Sequence, residues 1–264
     1  MPIALAIVIL IVALAIAAFL GRAIVRRIRW AERGGQRGVW VFVLVILLGG
    51  LAAGAFFAIR EEWYALRPAP DFVELAEQPD DTLVGTVAFI ATRNDGRCVD
   101  VVSASGRNLR EAGCFSARPD RVEWVDNQTL RVLSFGPLER PQDRWGRTVN
   151  VRTGEVFDMP LVEVPSVAPE VDETGPGGAA VSVSSSGGKL RVNLTVDRKD
   201  RTLLAVGAPS TYSIGGIAWS ETGSWFVAKD DLDRLLLITT AEPSVTRVLA
   251  ENGYGAAVLD EDLL

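Results

Sequence analysis

Three aspartates near residue 230 are the densest group of side chains that could do chemistry. Asp230, Asp231 and Asp233 follow a predicted strand and lie beside Lys229. A calcium loop uses alternating oxygen ligands, often with a glycine at its sharp turn and a closing glutamate, and this run lacks both. Paired carboxylates could also act as general acid and base on a glycoside. We favour a solvated hairpin turn over either a calcium site or a catalytic pair.

The two cysteines are placed for a disulfide bond. Cys98 and Cys114 each lie eight residues from Gly106, where a tight turn is predicted. A hairpin that turns there sets the cysteines opposite one another, with Cα atoms about 4.5 Å apart in a non-hydrogen-bonded pair. The sequence therefore predicts a Cys98–Cys114 disulfide, and the alternative is two buried thiols.

Composition excludes several other kinds of chemistry. The 264 residues include no histidine, which excludes serine–histidine catalysis and imidazole metal ligands. Two cysteines alone cannot complete a zinc or iron–sulfur site. The net charge of −6 argues against a nucleic-acid partner, which requires clustered Lys and Arg. We expect no cofactor, no metal and no catalytic activity.

The loop 136–146 is the best candidate for a binding surface. It is long for a hairpin connection and carries Leu138, Arg140, Arg144 and Trp145. Trp and Arg together are typical of binding hot spots. The alternative is that Trp145 folds back over its own sheet. A second candidate is the insert 162–178, rich in Pro, Gly and acidic residues, which is either a flexible loop or an extended segment held by another protein.

The first 59 residues have the pattern of a transmembrane helical hairpin. Residues 2–20 and 38–59 are uncharged, and each is long enough to cross a bilayer as a helix. The loop between them, 21–37, is basic and includes Arg22, Arg26, Arg29 and Arg33 at helical spacing. The positive-inside rule places this loop in the cytoplasm. The alternative for residues 2–20 is a cleaved signal peptide.

This orientation predicts a cell (inner) membrane protein with both termini outside and a periplasmic or extracellular C-terminal domain. The arginines could also rest on anionic lipid, although we favour a topology signal alone. Gly50 and Gly54 form a Gly-x-x-x-Gly motif that an antiparallel hairpin sets near Ala4 and Ala6, so the two helices could pack closely. Residues 60–82 follow as a juxtamembrane stalk.

Residues 83–264 alternate between apolar and polar positions, with Gly, Asn and Asp between the runs, which predicts strands and tight turns. Similar segments recur around Val122, Ala180, Ile217 and Gly255. Without the 162–178 insert, their spacing approaches 40 residues, which is typical of four-stranded propeller blades. The first unit lacks an inner strand, and the last unit is an inner strand alone. We therefore predict about four blades, the first closed by the C-terminal strand; the alternative is an open β-meander or sandwich.

One segment resembles a known repeat. Trp219-Ser220-x-x-Gly223-x-x-Phe226 is similar to the Trp-Ser-Pro-Asp-Gly repeat of TolB-type β-propellers, although Glu221 and Thr222 replace its Pro and Asp. The other copies are weaker: Trp124 keeps the aromatic residue, and Gly187-Gly188 keeps the turn. The resemblance implies a propeller fold and no particular activity.

These observations predict a non-catalytic, membrane-anchored interaction or assembly module, an accessory subunit of a membrane complex. Its expected partners are the lipid bilayer and another membrane or envelope protein. The alternatives are a carboxylate-dependent enzyme and a ligand-sensing domain that act on envelope components.

Overall fold

The alternating pattern of the sequence produces antiparallel strands over most of the described chain. The computed structural model describes residues 21–23, 25–26, 37–93, 96–136, 143–165 and 173–261. The chain divides into two compact units, Met1–Leu66 and Arg67–Leu264. The first is helical where it is described, and the second is built from strands.

Among its described residues, the first unit has a long helix, α1 (Arg37–Ala65). Within the part of the chain that the structure describes, no helix combines the length and the apolar character that crossing a membrane requires. This finding contradicts the predicted transmembrane hairpin. A hairpin requires two such helices, one over residues 2–20 and one over residues 38–59. Residues 2–20 lie outside the described residues.

The predicted membrane location is contradicted for the same reason, since it rested entirely on the hairpin and its basic loop. Arg22 and Arg26 are helical and exposed, whereas Arg29 and Arg33 lie outside the described residues. The predicted packing of glycine on alanine has no counterpart among the described residues. A Cβ built at Gly50 or Gly54 meets no heavy atom within 4 Å, and Ala4 and Ala6 are not described.

The second unit contains four small antiparallel sheets, named here in chain order. Sheet I contains β1 (Thr86–Arg93), β2 (Gly96–Ser103), β3 (Arg110–Phe115) and the last strand, β15 (Gly253–Leu259). Sheet II contains β4 (Arg121–Trp124), β5 (Thr129–Ser134), β6 (Trp145–Asn150) and β7 (Val156–Asp158). Sheet III contains β8 (Ala180–Ser186), β9 (Lys189–Val196) and β10 (Lys199–Gly207). Sheet IV contains β11 (Ile214–Trp219), β12 (Trp225–Asp230), β13 (Leu235–Thr239) and β14 (Thr246–Ala250).

The C-terminal strand completes the first sheet. β15 pairs antiparallel with β1, so that Thr86 faces Leu259 and Ala91 faces Gly253. The strand order of sheet I is therefore β15-β1-β2-β3, which confirms the predicted pairing of the two ends of the β region. Sheet III differs from the four-stranded expectation, since within the described residues three strands form it, in the order β8-β9-β10.

Buried apolar side chains join the sheets in the spatial order II, I, IV, III. Ile90, Val99 and Val132 belong to a cluster shared by sheets I and II. Phe89 and Trp225 belong to a cluster between sheets I and IV. A third cluster joins sheets III and IV, and its members include Leu190, Phe226 and Ile238. Each fully buried side chain of this size contributes about 1.5–3 kcal/mol, so these clusters dominate the stability of the unit. Within the described ranges, sheets II and III share no such cluster.

The TolB-like segment forms the turn between β11 and β12. Ser220 is buried, and its Oγ donates to the main-chain oxygen of Trp225 at 2.9 Å. Gly223 has φ +69°, and its amide donates to Ser220 O at 3.0 Å. The rings of Trp219 and Phe226 lie 4.8 Å apart. The serine and the glycine therefore close the turn, and the two aromatic side chains pack across the pair of strands.

Residues 70–75, within the predicted stalk, run along the outer edge of sheet IV. The amide of Leu75 donates to Val248 O at 2.7 Å, and the amide of Val248 donates to Val73 O at 2.9 Å. Leu75 is fully buried in the cluster between sheets I and IV. This segment therefore covers part of the exposed edge of β14.

Candidate functional site

Edge strands of three sheets surround a cavity of about 900 Å³. β4, β11 and β15 are each the edge strand of their sheet, and residues from all three line the cavity. The wall also includes Ser213, which directly precedes β11, and residues at the end of β12 and in the turn after it. The ionisable side chains of the lining are Asp120, Arg121, Glu123, Lys229, Asp230, Asp231 and Asp233.

Two of these carboxylates accept hydrogen bonds only from uncharged donors in the described part of the chain. Asp120 Oδ2 accepts from the amide of Phe135 at 2.9 Å and from Ser134 Oγ at 3.1 Å. Asp231 accepts from the amide of Ser213 at 2.5 Å and from its hydroxyl at 2.8 Å. Both aspartates are exposed at the cavity. They therefore bring negative charge to it that no Lys or Arg of the described ranges pairs with.

Two other carboxylates are neutralised by neighbouring cations. Glu123 forms an ion pair with Arg121 at 2.7 Å and also accepts from Arg131 Nε at 2.9 Å. Asp233 pairs with Lys229 Nζ at 2.5 Å. These exposed or half-buried pairs hold their side chains against the wall and add little net charge.

Asp230 belongs to a buried network behind the cavity wall. Its side chain is fully buried and accepts from Tyr212 Oη at 2.6 Å and from Arg234 Nε at 2.8 Å. Burial and the hydrogen bond to Asp230 raise the pKa of Tyr212, so the phenol stays protonated. Burial lowers the pKa of Arg234, but hydrogen bonds to Asp230 and Tyr212 outweigh that effect and raise it. The network is therefore a fixed, fully bonded group.

Aromatic side chains stand among the charged groups of the lining. Trp124, Phe135 and Trp219 all contribute to the cavity wall and are half-buried. Trp124 Nε1 donates to Ala257 O at 3.3 Å, and Trp219 Nε1 donates to Glu173 O at 2.9 Å. Because their N–H groups are already bonded, the rings are held in place as fixed contact surfaces.

Glycines leave part of the wall as bare backbone. Gly215 and Gly216 lie on β11, where the pairing with β12 is interrupted between Gly215 and Ala218. A Cβ built at either glycine meets no heavy atom within 4 Å, so the space beside them is open. Another polypeptide could therefore approach the backbone of β11 closely.

The structure separates the three aspartates picked from the sequence. Asp230 is buried with Arg234, Asp231 binds Ser213, and Asp233 pairs with Lys229. They are not gathered around one point as ligands of a calcium ion. Asp120 and Glu123 lie on the other side of the cavity and were not predicted, because their distance from the three aspartates depends on how separate sheets meet. The signal that could have identified them is the recurring segment around Val122, since Asp120 and Glu123 lie within it or beside it.

The loop candidate is only partly described, because Leu138 and Arg140 lie outside the described residues. Trp145 begins β6 and stacks on Phe115 of sheet I, with ring centroids 5.5 Å apart. The guanidinium carbon of Arg147 lies 5.4 Å from the centroid of Trp145. Trp145 therefore packs against the neighbouring sheet, and neither it nor Arg144 lines the cavity.

The predicted disulfide is present. Cys98 of β2 and Cys114 of β3 face each other across the sheet and are bonded, with Cα atoms 3.9 Å apart. Cys98 is buried, whereas Cys114 is exposed. The bond therefore fixes the outer edge strand of sheet I to its neighbour.

No protein-family model matches the chain, and no curated protein matches it. Solved structures with some similarity include TolB from Acinetobacter baumannii, at TM-score 0.23 and 11% identity, covering 62% of this chain and 41% of that one. The AtxE2 isopeptidase aligns at TM-score 0.27 and 13% identity, covering 61% of this chain and 31% of that one. An oligogalacturonate lyase from Vibrio parahaemolyticus aligns at TM-score 0.21 and 10% identity, over 68% of this chain and 64% of that one.

The structural neighbours therefore include TolB and other propeller-like proteins, at low TM-score and low identity. The chain spans well under half the length of the first two. Similarity at this level does not establish a common fold or activity, and the isopeptidase and lyase activities belong to those proteins.

Proposed function

We propose that the four-sheet unit is a non-catalytic interaction module whose cavity receives a cationic, extended segment of a protein partner. The observation that carries this proposal is the pair of carboxylates, Asp120 and Asp231, that face the cavity and form no ion pair with a Lys or Arg of the described residues. Their hydrogen bonds to amide and hydroxyl donors fix them in place before any partner arrives. An Arg or Lys of the partner would supply the missing positive charge.

The aromatic rings support the same class of ligand. A guanidinium or ammonium group over the face of Trp124 or Trp219 gains about 0.5–2 kcal/mol from the cation–π interaction. The bare backbone at Gly215 and Gly216 favours an extended segment, since a strand-like peptide can lie against a sheet edge where no side chain intervenes. The finer proposal, that the four sheets are blades of a TolB-type propeller, is supported by the pairing of β15 with β1.

A carboxylate-dependent enzyme is less well supported. General acid–base catalysis by two carboxyl groups needs one that can hold or release a proton beside the substrate. Of the five cavity carboxylates, Glu123, Asp230 and Asp233 are ion-paired, and Asp120 and Asp231 accept two hydrogen bonds each. All five carboxylates are therefore already held by hydrogen bonds or ion pairs, which suits fixed contact groups better than a catalytic acid and base.

The test is a titration of the full chain with two peptides of equal length, one alternating Arg and Val and the other alternating Glu and Val. We expect calorimetry to detect the cationic peptide only, with affinity that falls as salt is added. Asp120→Asn and Asp231→Asn should each weaken binding about 5-fold, which corresponds to about 1 kcal/mol.

The matched control is Asp126→Asn. Asp126 is an exposed aspartate that also accepts from two main-chain amides, those of Gln128 at 2.7 Å and Thr129 at 2.8 Å, but it does not line the cavity. This variant should bind the cationic peptide as the parent chain does. Equal binding of the acidic peptide, or unchanged binding by both cavity variants, would refute the proposal.

A further inference from the structure

We propose a second site on sheet I: when the Cys98–Cys114 disulfide is reduced, the two thiolates and the Glu111 carboxylate bind a zinc-like divalent cation. One ligand atom from each of these three residues lies within 4.8 Å of the other two. Zinc accepts this mixture of sulfur and oxygen ligands, and a water molecule can complete its tetrahedron. The site is independent of the cavity and of the function proposed for it.

A β-bulge brings Glu111 to the cysteines. In a regular strand, residues three apart point to opposite faces, so Glu111 and Cys114 should diverge. The pairing of β2 with β3 shifts by one residue here: Val99 faces Gly113, but Asp100 faces Glu111, which leaves Ala112 as the extra residue. The extra residue reverses the alternation and turns Glu111 toward the face that carries Cys114.

Glu111 can change partners without leaving an uncompensated buried charge. Its carboxylate is exposed and forms an ion pair with Arg93. Arg93 also binds both oxygens of Asp100, at 2.9 and 2.8 Å. If Glu111 turns toward a metal, Arg93 keeps its ion pair with the buried Asp100, so the rearrangement involves only exposed groups.

Cys114 is the exposed cysteine of the pair, so we take its Sγ as the point of attack for a reductant. A thiolate of a dithiol attacks Cys114 Sγ, the bond between the two cysteine sulfurs breaks, and Cys98 leaves as a thiolate that takes up a proton. The second thiol of the reductant then displaces Cys114, so the dithiol is oxidised to a disulfide and two protein thiols form. Binding of the divalent cation releases their two protons.

The oxidised protein has no thiolate ligands at this position, so the redox state decides whether the cation binds. In the reduced protein, the cation links β2 to β3 at the same two residues that the disulfide links. The site therefore exchanges one cross-strand connection for another.

The experiment uses Co²⁺ and Zn²⁺ as probes of the full chain, with a phosphine as reductant because excess dithiol would compete for the metal. We expect reduced protein to bind one Co²⁺ with thiolate-to-metal charge-transfer absorption, and Zn²⁺ to displace it. Oxidised protein should show no such absorption. Glu111→Gln should weaken binding at least 10-fold, because even outer ligand partners contribute that much.

The control variant is Glu155→Gln, which removes an exposed carboxylate between β6 and β7 and should bind Co²⁺ as the parent does. Cys114→Ser should abolish the charge-transfer band. Circular dichroism on each reduced variant shows whether the sheets persist. Equal absorption from oxidised protein, no absorption from folded reduced protein, or parental affinity in Glu111→Gln would overturn the proposal.

Discussion

Arg234 donates from Nε to Asp230 Oδ2 at 2.8 Å, and the Asp230 side chain is fully buried. A second guanidinium nitrogen of Arg234 donates to the main-chain oxygen of Pro70 at 2.9 Å. The guanidinium carbon also lies 5.6 Å from the ring centroid of Phe72. One cation therefore neutralises a buried acid of sheet IV and anchors the segment that runs along the edge of that sheet.

We expect Arg234→Met to lower the free energy of unfolding by about 3–5 kcal/mol, because it leaves the Asp230 carboxylate buried without its counter-ion. Urea denaturation followed by circular dichroism measures the change. Lys229→Met is the comparison, since it removes the exposed pair with Asp233 and should change stability by about 1 kcal/mol or less. Similar losses in the two variants would contradict this account of Arg234.

Tyr212 should make the fold sensitive to alkaline pH. Burial and the hydrogen bond to Asp230 raise its pKa above the ordinary value of 10.0. The unfolded chain therefore loses the phenol proton first, so the stabilisation is complete below about pH 10 and falls as the pH rises above it. Unfolding free energies at neutral and alkaline pH should show a shallower loss in Tyr212→Phe than in the parent chain. Parallel pH profiles would argue against the bonded phenol.

Removal of the disulfide should destabilise the second unit by about 3 kcal/mol on the chain-entropy model for a loop of 16 residues. The double variant Cys98→Ala, Cys114→Ala tests this by thermal and urea unfolding in the absence of metal. Addition of a reductant to the parent chain should lower its stability by a similar amount and leave the double variant unaffected. A reductant effect that persisted in the variant would place the cause elsewhere.

Gly175 and Gly215 should respond in opposite ways to alanine. A Cβ at Gly175 would lie 2.6 Å from the Trp219 indole, so Gly175→Ala must displace the ring or the segment that holds it. We expect a loss of about 1–3 kcal/mol in unfolding free energy. Gly215→Ala meets open space and should leave stability within about 0.5 kcal/mol of the parent. Gly215→Ala should also weaken binding of the cationic peptide, because the added methyl group projects from the strand that the peptide approaches.

Most of the strands were predictable because each one shows an alternation of apolar and polar residues in its own sequence. Turn residues separate the segments that form β1, β2 and β3. The position of the turn between β2 and β3 fixes their pairing, which places Cys98 opposite Cys114. The first unit lacked an inner strand and the chain ended in an isolated strand, which together predicted the pairing of β1 with β15. These inferences needed only local patterns and one rule about unpaired edges.

The features that were missed depend on how separate elements meet. Asp120 and Asp231 are more than a hundred residues apart in the chain, and no sequence pattern links them across the cavity. Glu111 faces the cysteines only because Ala112 is bulged, and a bulge leaves no clear mark in hydrophobic alternation. The hairpin prediction relied on apolar composition and the position of arginines, and neither is specific to a membrane-spanning helix.

The pairing of β1 with β15 also affects how the chain can be made. During synthesis, β1 to β3 emerge first, but the edge of β1 stays open until residues 253–259 have left the ribosome. A nascent chain therefore carries an unsatisfied strand edge for most of translation, which exposes it to mispairing with other chains. Closure then requires contact between residues more than 160 positions apart, so final assembly is expected to be slow compared with formation of the individual hairpins.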